Sequence, residues 1–241
     1  MVAFTEVFNF KNPLFTIREK IVFLLISLVL LGLAQLSFFP ILKWIKSIPD
    51  VKFVEIPVQI SVYLRMIQVI VISPLIEEMI FRLPLRFSKP NLTISIVSFF
   101  ILLLLHYEVL NVFLFSGPFL SFRLLLLLFL ISIVIISLKF TSITNNLDKI
   151  WHNKPMLIIL LYCIAFSMIH IRRFEIETAG YYYIGIIILI YYFLVGIIYS
   201  LIRLKVGIFA SFVFHAAYNS VVYLYVLYLT LREGRNYFEF L

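Results

Sequence analysis

Two adjacent acids and a base interrupt an otherwise apolar stretch of this chain, at Glu77, Glu78 and Arg82. Glu78 and Arg82 are four residues apart, so on a helix they share one face, where the guanidinium group can pair with the carboxylate and orient it. Glu77 points about a quarter-turn away from that pair. Burying a second acid without a partner in an apolar segment costs free energy, which suggests that this acid has a function. The motif therefore predicts a carboxylate available as a general base. An ion pair marking a helix end at a membrane surface is the structural alternative.

Two later segments carry polar side chains at helical spacing. His170 ends an apolar run and follows Phe166 by four residues, and Asn219 follows His215 by the same interval within the last apolar run. A four-residue interval places each pair on one helix face. Taken singly, such residues more often link helices through hydrogen bonds. Together with the acids, they supply a base, a group that positions water and hydrogen-bond donors, a combination that suits hydrolysis.

Other hydrolytic arrangements are missing from the sequence. It has no Gly-x-Ser-x-Gly turn to carry a nucleophilic serine and no His-Glu-x-x-His helix of the kind found in many metalloproteases. The pattern therefore favours attack by an activated water over attack by a side-chain nucleophile.

The elements that position these residues are predicted from composition. The chain has 241 residues, 63% of them hydrophobic and 13% charged, so its solvent is lipid. Only helices and closed barrels satisfy their backbone in hydrocarbon, and the apolar runs lack the alternation of barrel strands. The fold class is therefore predicted to be all-α, a polytopic bundle forming one integral membrane domain over residues 1–241. About seven spans are predicted, at residues 21–42, 58–83, 92–109, 119–138, 155–171, 181–202 and 206–230.

The net charge of +8 is spread between the apolar runs in groups of one to three residues. That distribution predicts contact with anionic lipid and no binding of nucleic acid. No small-residue cleavage site follows the first apolar run, which predicts a retained helix rather than a signal peptide. The segments predicted to share a side of the membrane with the N-terminus carry slightly more Lys and Arg than the segments on the other side, which favours a cytoplasmic N-terminus. We expect a multi-pass protein of a bacterial cytoplasmic membrane.

The remaining polar and aromatic residues are predicted to have structural roles. The 14 tyrosines are expected to form belts at the membrane interfaces, with none of them in a site. Interfacial or solvated positions are predicted for His106, Glu108, Asp148 and His152, the last two in a polar loop over residues 139–154.

The three motifs in this order, Glu77-Glu78-x-x-x-Arg82, Phe166-x-x-x-His170 and His215-x-x-x-Asn219, resemble those of the CPBP family of intramembrane proteases. This family includes the type II CAAX prenyl endopeptidases and bacterial Abi membrane proteins. The resemblance spans residues 74–219 and implies a protease core over about residues 58–230. It also implies a bundle of seven or eight transmembrane helices around a polar, conical cavity within the membrane.

The resemblance implies a role for each motif residue. Glu77 and His170 would activate the attacking water, His215 and Asn219 would stabilise the oxyanion, and the remaining acid and base would support the site. A zinc ion could be held by Glu77, His170 and His215, and a mechanism with glutamate and water alone is equally compatible with these residues. Oligomeric state is left open.

One departure concerns the end of the first motif. Relatives often carry a glycine directly after the arginine, whereas this chain has Leu83 followed by Pro84. Helix packing just beyond the motif is therefore expected to differ.

The depths of the motif residues raise a second point. Seven alternating spans would put Glu77 towards one face of the membrane and His170 near the opposite end of its helix. We therefore expect the helix to continue past Arg82 to about Phe87, and a water-filled cavity to reach His170.

Three functions follow as hypotheses. The first is an endopeptidase that cleaves a peptide or membrane protein, lipidated or not. The second is a transporter or ion-coupled protein, because intramembrane acids and histidines also build proton relays; the inverted repeats typical of transporters are not evident. The third is a catalytically silent relative that serves as an immunity or scaffold protein.

Overall fold

The computed structural model describes residues 16–46, 51–53, 62–105, 132, 136, 139–171, 174–176 and 182–233. The helices before the first site motif are α1 (Ile17–Lys46) and α2 (Val62–Ile67), the latter continued by a π-helical turn (Gln68–Ile72) into α3 (Ser73–Phe81). A 3₁₀ turn (Leu83–Leu85) follows. The later helices are α4 (Lys89–Leu105), α5 (Thr141–Asn153), α6 (Pro155–Ile171), α7 (Tyr182–Lys205) and α8 (Ile208–Glu233).

Among the described residues, three stretches of helix are long and apolar enough to cross a bilayer: Ile17–Ile41, Tyr182–Lys205 and Ile208–Arg232. They make this chain a membrane protein, as its composition predicts. The helices α5 and α6 meet at a 95° bend and would add a fourth candidate if they formed one broken span. The predicted span 119–138 lies almost wholly outside the described residues, as do residues 1–15, His106 and Glu108. The count of seven or eight spans and the polar cavity stay predictions.

A short antiparallel ribbon accompanies the helices. Strand β1 (Val51–Phe53) pairs with β2 (Phe174–Ile176), with Val51 opposite Ile176. The expectation of an all-α fold did not include this ribbon. It joins the segment after α1 to the segment after α6, and it begins four residues beyond His170.

The helix that carries the acids ends earlier than the sequence suggested. The expectation that it continues to about Phe87 is wrong, because α3 ends at Phe81 and Arg82 begins a turn. Proline disfavours helical geometry in the residue before it and has no N–H to donate, so Pro84 accounts for the early stop.

Side chains from other helices hold this turn in place. Arg203 Nε donates a hydrogen bond to the carbonyl oxygen of Arg82 at 3.2 Å, and Trp151 Nε1 donates to that of Pro84 at 2.8 Å. In the other direction, Arg86 donates to the carbonyl oxygen of Leu204 at 2.6 Å. The end of α3 is therefore attached to both α5 and α7.

The segment 139–154, predicted as a polar loop, is largely helix α5. Its apolar residues recur at helical intervals among polar ones, which is the pattern of an amphipathic surface helix. The prediction of solvated side chains within it is confirmed, since Asp148 and His152 are 49% and 70% exposed and pair with each other at 3.1 Å.

The polar residues of α1 attach it to the rest of the bundle. Gln35 Oε1 accepts hydrogen bonds from the hydroxyl groups of Tyr191 and Tyr218, and the ring of Phe38 stacks on Tyr191 with centroids 3.7 Å apart. These tyrosines join three helices, and the expectation that they belong to an interfacial belt stays a prediction.

Close packing of α6 on α7 depends on a glycine. A Cβ atom added to Gly196 would lie 3.2 Å from a ring carbon of Phe166 and 3.6 Å from Cys163. The absence of a side chain at this position lets α6 approach closely, and α6 carries His170.

We expect Gly196→Val to destabilise the protein, because its branched side chain must displace Phe166 or separate α6 from α7. The overpacking should reduce the free energy of unfolding by about 1 to 3 kcal/mol, measured as a lower thermal midpoint in detergent. Gly32→Val is the matched control, since nothing lies within 4 Å of a Cβ atom at that position. Equal midpoints for the two variants would contradict the close approach.

Candidate functional site

Five of the six predicted site residues lie in one buried cluster. Helix α3 and the turn after it contribute Glu77, Glu78 and Arg82, helix α6 contributes His170, and helix α8 contributes His215. All five are at least nine-tenths buried. Residues separated by up to 138 positions in the sequence therefore meet in one apolar setting.

Glu77 stands between the two histidines. Its Oε2 atom lies 3.5 Å from Nε2 of His215 and 3.9 Å from Nε2 of His170. Both distances exceed that of a strong hydrogen bond, and both are short enough for one water to bridge the two atoms at about 2.8 Å from each.

His170 is oriented by its own helix. Its Nδ1 atom lies 2.8 Å from the carbonyl oxygen of Phe166, and because a carbonyl oxygen only accepts, Nδ1 must carry the proton. Its ring stacks on Tyr192, with centroids 4.0 Å apart. These contacts leave Nε2 as the atom directed towards Glu77, and in the neutral imidazole Nε2 is an acceptor.

His215 is oriented by the second acid. Its Nδ1 atom lies 3.0 Å from Oε1 of Glu78, and its ring stacks on Tyr199 with centroids 4.4 Å apart. The carboxylate of Glu78 also lies 3.8 Å from Nε of Arg82, with which it forms a buried ion pair, and a carboxylate oxygen only accepts hydrogen bonds. Glu78 therefore accepts the Nδ1 proton of His215, and Nε2 is again directed towards Glu77.

Arg82 supports the site through charge and stacking. Its guanidinium carbon lies 3.9 Å from the centroid of the Phe166 ring, within the range of a cation–π contact. Within the described part of the chain its side-chain nitrogens make no hydrogen bond, so Glu78 is held by an ion pair and not by a direct bidentate contact. The predicted pairing of Glu78 with Arg82 on one helix face is present.

Asn219, the sixth predicted residue, has a different partner. Its Nδ2 atom donates a hydrogen bond of 2.9 Å to the carbonyl oxygen of Val69, in the π turn that precedes α3. The side chain is half-buried and lies one turn beyond His215 on α8. This contact ties α8 to the helix of the acids, and one amide hydrogen remains for another acceptor.

The sequence reasoning missed two aromatic residues of the site. Tyr192 and Tyr199 stack on the two histidines, and Tyr199 is fully buried, so the expectation that it belongs to an interfacial belt is wrong for Tyr199. Both lie on α7, seven residues apart and hence on the same face. The seven-residue interval was the sequence signal that these two tyrosines share one face of α7.

The predicted metal ligands match zinc in donor type. Imidazole nitrogens and carboxylate oxygens bind zinc at about 2.0 to 2.2 Å, which places tetrahedral ligand atoms roughly 3.3 to 3.6 Å apart. The 3.5 Å separation of His215 from Glu77 falls in that range, whereas the 3.9 Å separation of His170 from Glu77 is wider. Among the residues that the structure describes, no group of three or more His, Cys, Asp or Glu side chains is arranged to hold a metal ion.

Comparison with known proteins adds no relative to this description. No protein-family model, curated protein or solved structure matches the chain, so the resemblance of its motifs to those of the CPBP proteases stays an expectation based on those residues.

Proposed function

We propose that this protein is an intramembrane endopeptidase of the CPBP type, which hydrolyses a peptide bond of a membrane-associated or lipidated substrate. The observation that carries the proposal is the buried carboxylate of Glu77 flanked by Nε2 atoms from two histidines on two other helices. We further propose that the chain crosses a bacterial cytoplasmic membrane several times, with the substrate reaching the site from the lipid.

Glu77 acts as the general base in this mechanism. A water within reach of Glu77 Oε2 gives it a proton while the water oxygen attacks the carbonyl carbon of the substrate. His170 Nε2 accepts the other hydrogen of that water and fixes its direction, since its own Nδ1 proton is committed to Phe166. The protonated Glu77 then returns the proton to the amine that leaves.

His215 stabilises the charge that develops on the carbonyl oxygen. In its imidazolium form, Nε2–H donates to the oxyanion, while Nδ1–H donates to the carboxylate of Glu78. The free amide hydrogen of Asn219 is the second donor. If the site takes zinc, Glu77, His170 and His215 would hold it, and the ion would supply a more acidic water and polarise the carbonyl group.

Replacement of Glu77 by glutamine should abolish cleavage, because the amide has nearly the same shape and cannot accept the proton. We expect a loss of at least about 10²-fold in turnover of a quenched peptide library by protein in nanodiscs, with the thermal midpoint unchanged. Asp148→Asn is the matched control, since it makes the same chemical change at an exposed position.

Unchanged cleavage by the Glu77→Gln variant would overturn the proposed mechanism. If neither wild type nor variant cleaves any lipidated or unlipidated peptide, the protein is not an endopeptidase, and ion flux across vesicles becomes the next measurement. Treatment with a chelator separates the two forms of the mechanism, because loss of cleavage that zinc restores favours the metal, and unaltered cleavage favours glutamate and water.

Glu78 and Arg82 should behave as a coupled pair. Removing one charge alone leaves the other buried, so we expect Glu78→Gln and Arg82→Met each to destabilise the protein by about 3 to 5 kcal/mol. The double variant should be more stable than the sum of the two effects predicts, by at least about 1 kcal/mol in thermal or denaturant unfolding, and should remain inactive. Additive effects would show that the pair does not interact.

A further inference from the structure

Helix α5 has the form of a helix that lies on a surface. Its apolar residues fall within one arc of the helix and its polar residues occupy the remainder, as in amphipathic helices at interfaces. At Lys154 the chain bends by 95° into α6, which is apolar along most of its length. If α6 runs across a bilayer, α5 therefore runs in the plane of that bilayer.

The apolar arc of α5 has two different surroundings. On one edge, Trp151 packs on Phe87, with ring centroids 5.4 Å apart, and Thr144 is buried. On the other edge, Ile143 and Ile150 lie two turns apart on one face and are 41% and 45% exposed. One edge thus attaches the helix to the protein, and the other presents apolar side chains outward.

Exposed lysines lie on the polar face of α5 and just beyond each of its ends. Lys149 is on the polar face, Lys139 precedes the helix and Lys154 follows it, and all three are exposed, whereas the acid of this segment, Asp148, is paired with His152. An amphipathic helix parallel to the membrane, with lysines on its polar side, favours the boundary between acyl chains and anionic headgroups.

We infer that α5 lies in the membrane interface, with Ile143 and Ile150 among the upper acyl chains and the three lysines at anionic lipid headgroups. The inference requires α6 to cross the bilayer and does not depend on peptide hydrolysis. A protein partner on the same face would instead shield Ile143 and Ile150 from both lipid and water.

This placement links lipid binding to the candidate site. Trp151 of α5 donates its hydrogen bond to the carbonyl oxygen of Pro84, two residues after Arg82. The depth of α5 in the interface therefore helps to set the depth in the membrane of the turn that ends α3. Because the acids of α3 lie next to this turn, their distance from the lipid surface depends on the same contact.

Single cysteines at Ile143, Ile150 and Asn145 would test the inference. Asn145 is exposed and lies about 200° around the helix from Ile143. Each variant is labelled with a small fluorophore and reconstituted into phosphatidylcholine vesicles containing brominated acyl chains, with or without phosphatidylglycerol. The native Cys163 is 1% exposed and does not compete for label, and Cys163→Ala supplies a background that verifies this.

We expect brominated chains to quench the probes at positions 143 and 150 at least about twofold more strongly than the probe at 145, and aqueous iodide to show the reverse order. Phosphatidylglycerol should increase the bromine quenching at positions 143 and 150. Changing Lys139, Lys149 and Lys154 to glutamine should remove that increase and leave the thermal midpoint unchanged, because all three side chains are exposed.

Three results would overturn the inference. Strong iodide quenching at all three positions would place α5 in water. Protection from both quenchers at positions 143 and 150 would mean that protein covers this face. Equal bromine quenching with and without phosphatidylglycerol would remove the role of anionic headgroups.

Discussion

The burial of Glu78 beside Arg82 is the constraint on which the rest of the site depends. Both side chains are 1% exposed, and a buried charge of either sign is tolerated only beside a partner. Glu78 gains a second partner in His215, and the guanidinium group rests on the ring of Phe166. One ion pair therefore fixes α3 against α6 and α8, the two helices whose histidines approach Glu77.

The turn that ends α3 shows how the chain meets the requirement for paired backbone groups in an apolar environment. A helix end releases carbonyl oxygens that have no water to bind inside a membrane protein. Here the carbonyl oxygen of Arg82 accepts from Arg203 and that of Pro84 accepts from Trp151. The same bonds that satisfy the backbone also prevent the acids from shifting along the helix axis, so backbone pairing and site geometry have one structural cause.

The residues of the buried cluster could be picked out from the sequence because polar residues stand out in apolar runs, as Glu77, His170 and His215 do. Other features could not, and for different reasons. Tyr199 was missed because its seven-residue interval from Tyr192 places both on one helix face but does not show whether that face meets lipid or the histidines. The amphipathic helix α5 was missed because hydropathy averaged over its residues resembles that of a loop. The end of α3 was misplaced because apolar pattern was given more weight than Pro84.

The π turn before α3 was not predicted from the pattern of side chains, and it determines which way Glu77 points. A π turn adds one residue to a helix and so rotates everything after it by about 100° relative to an uninterrupted α-helix. Without that residue, Glu77 would point away from α6 and α8. The N–H of Ser73 donates to the carbonyl oxygen of Gln68, and Pro74 has no N–H. The carbonyl oxygen of Val69 is therefore left for Asn219, which binds it from α8 one turn beyond His215. Asn219 thus stabilises the rotation that brings Glu77 to the histidines, so a residue whose motif suggests a direct role in chemistry has a structural role in positioning the acids.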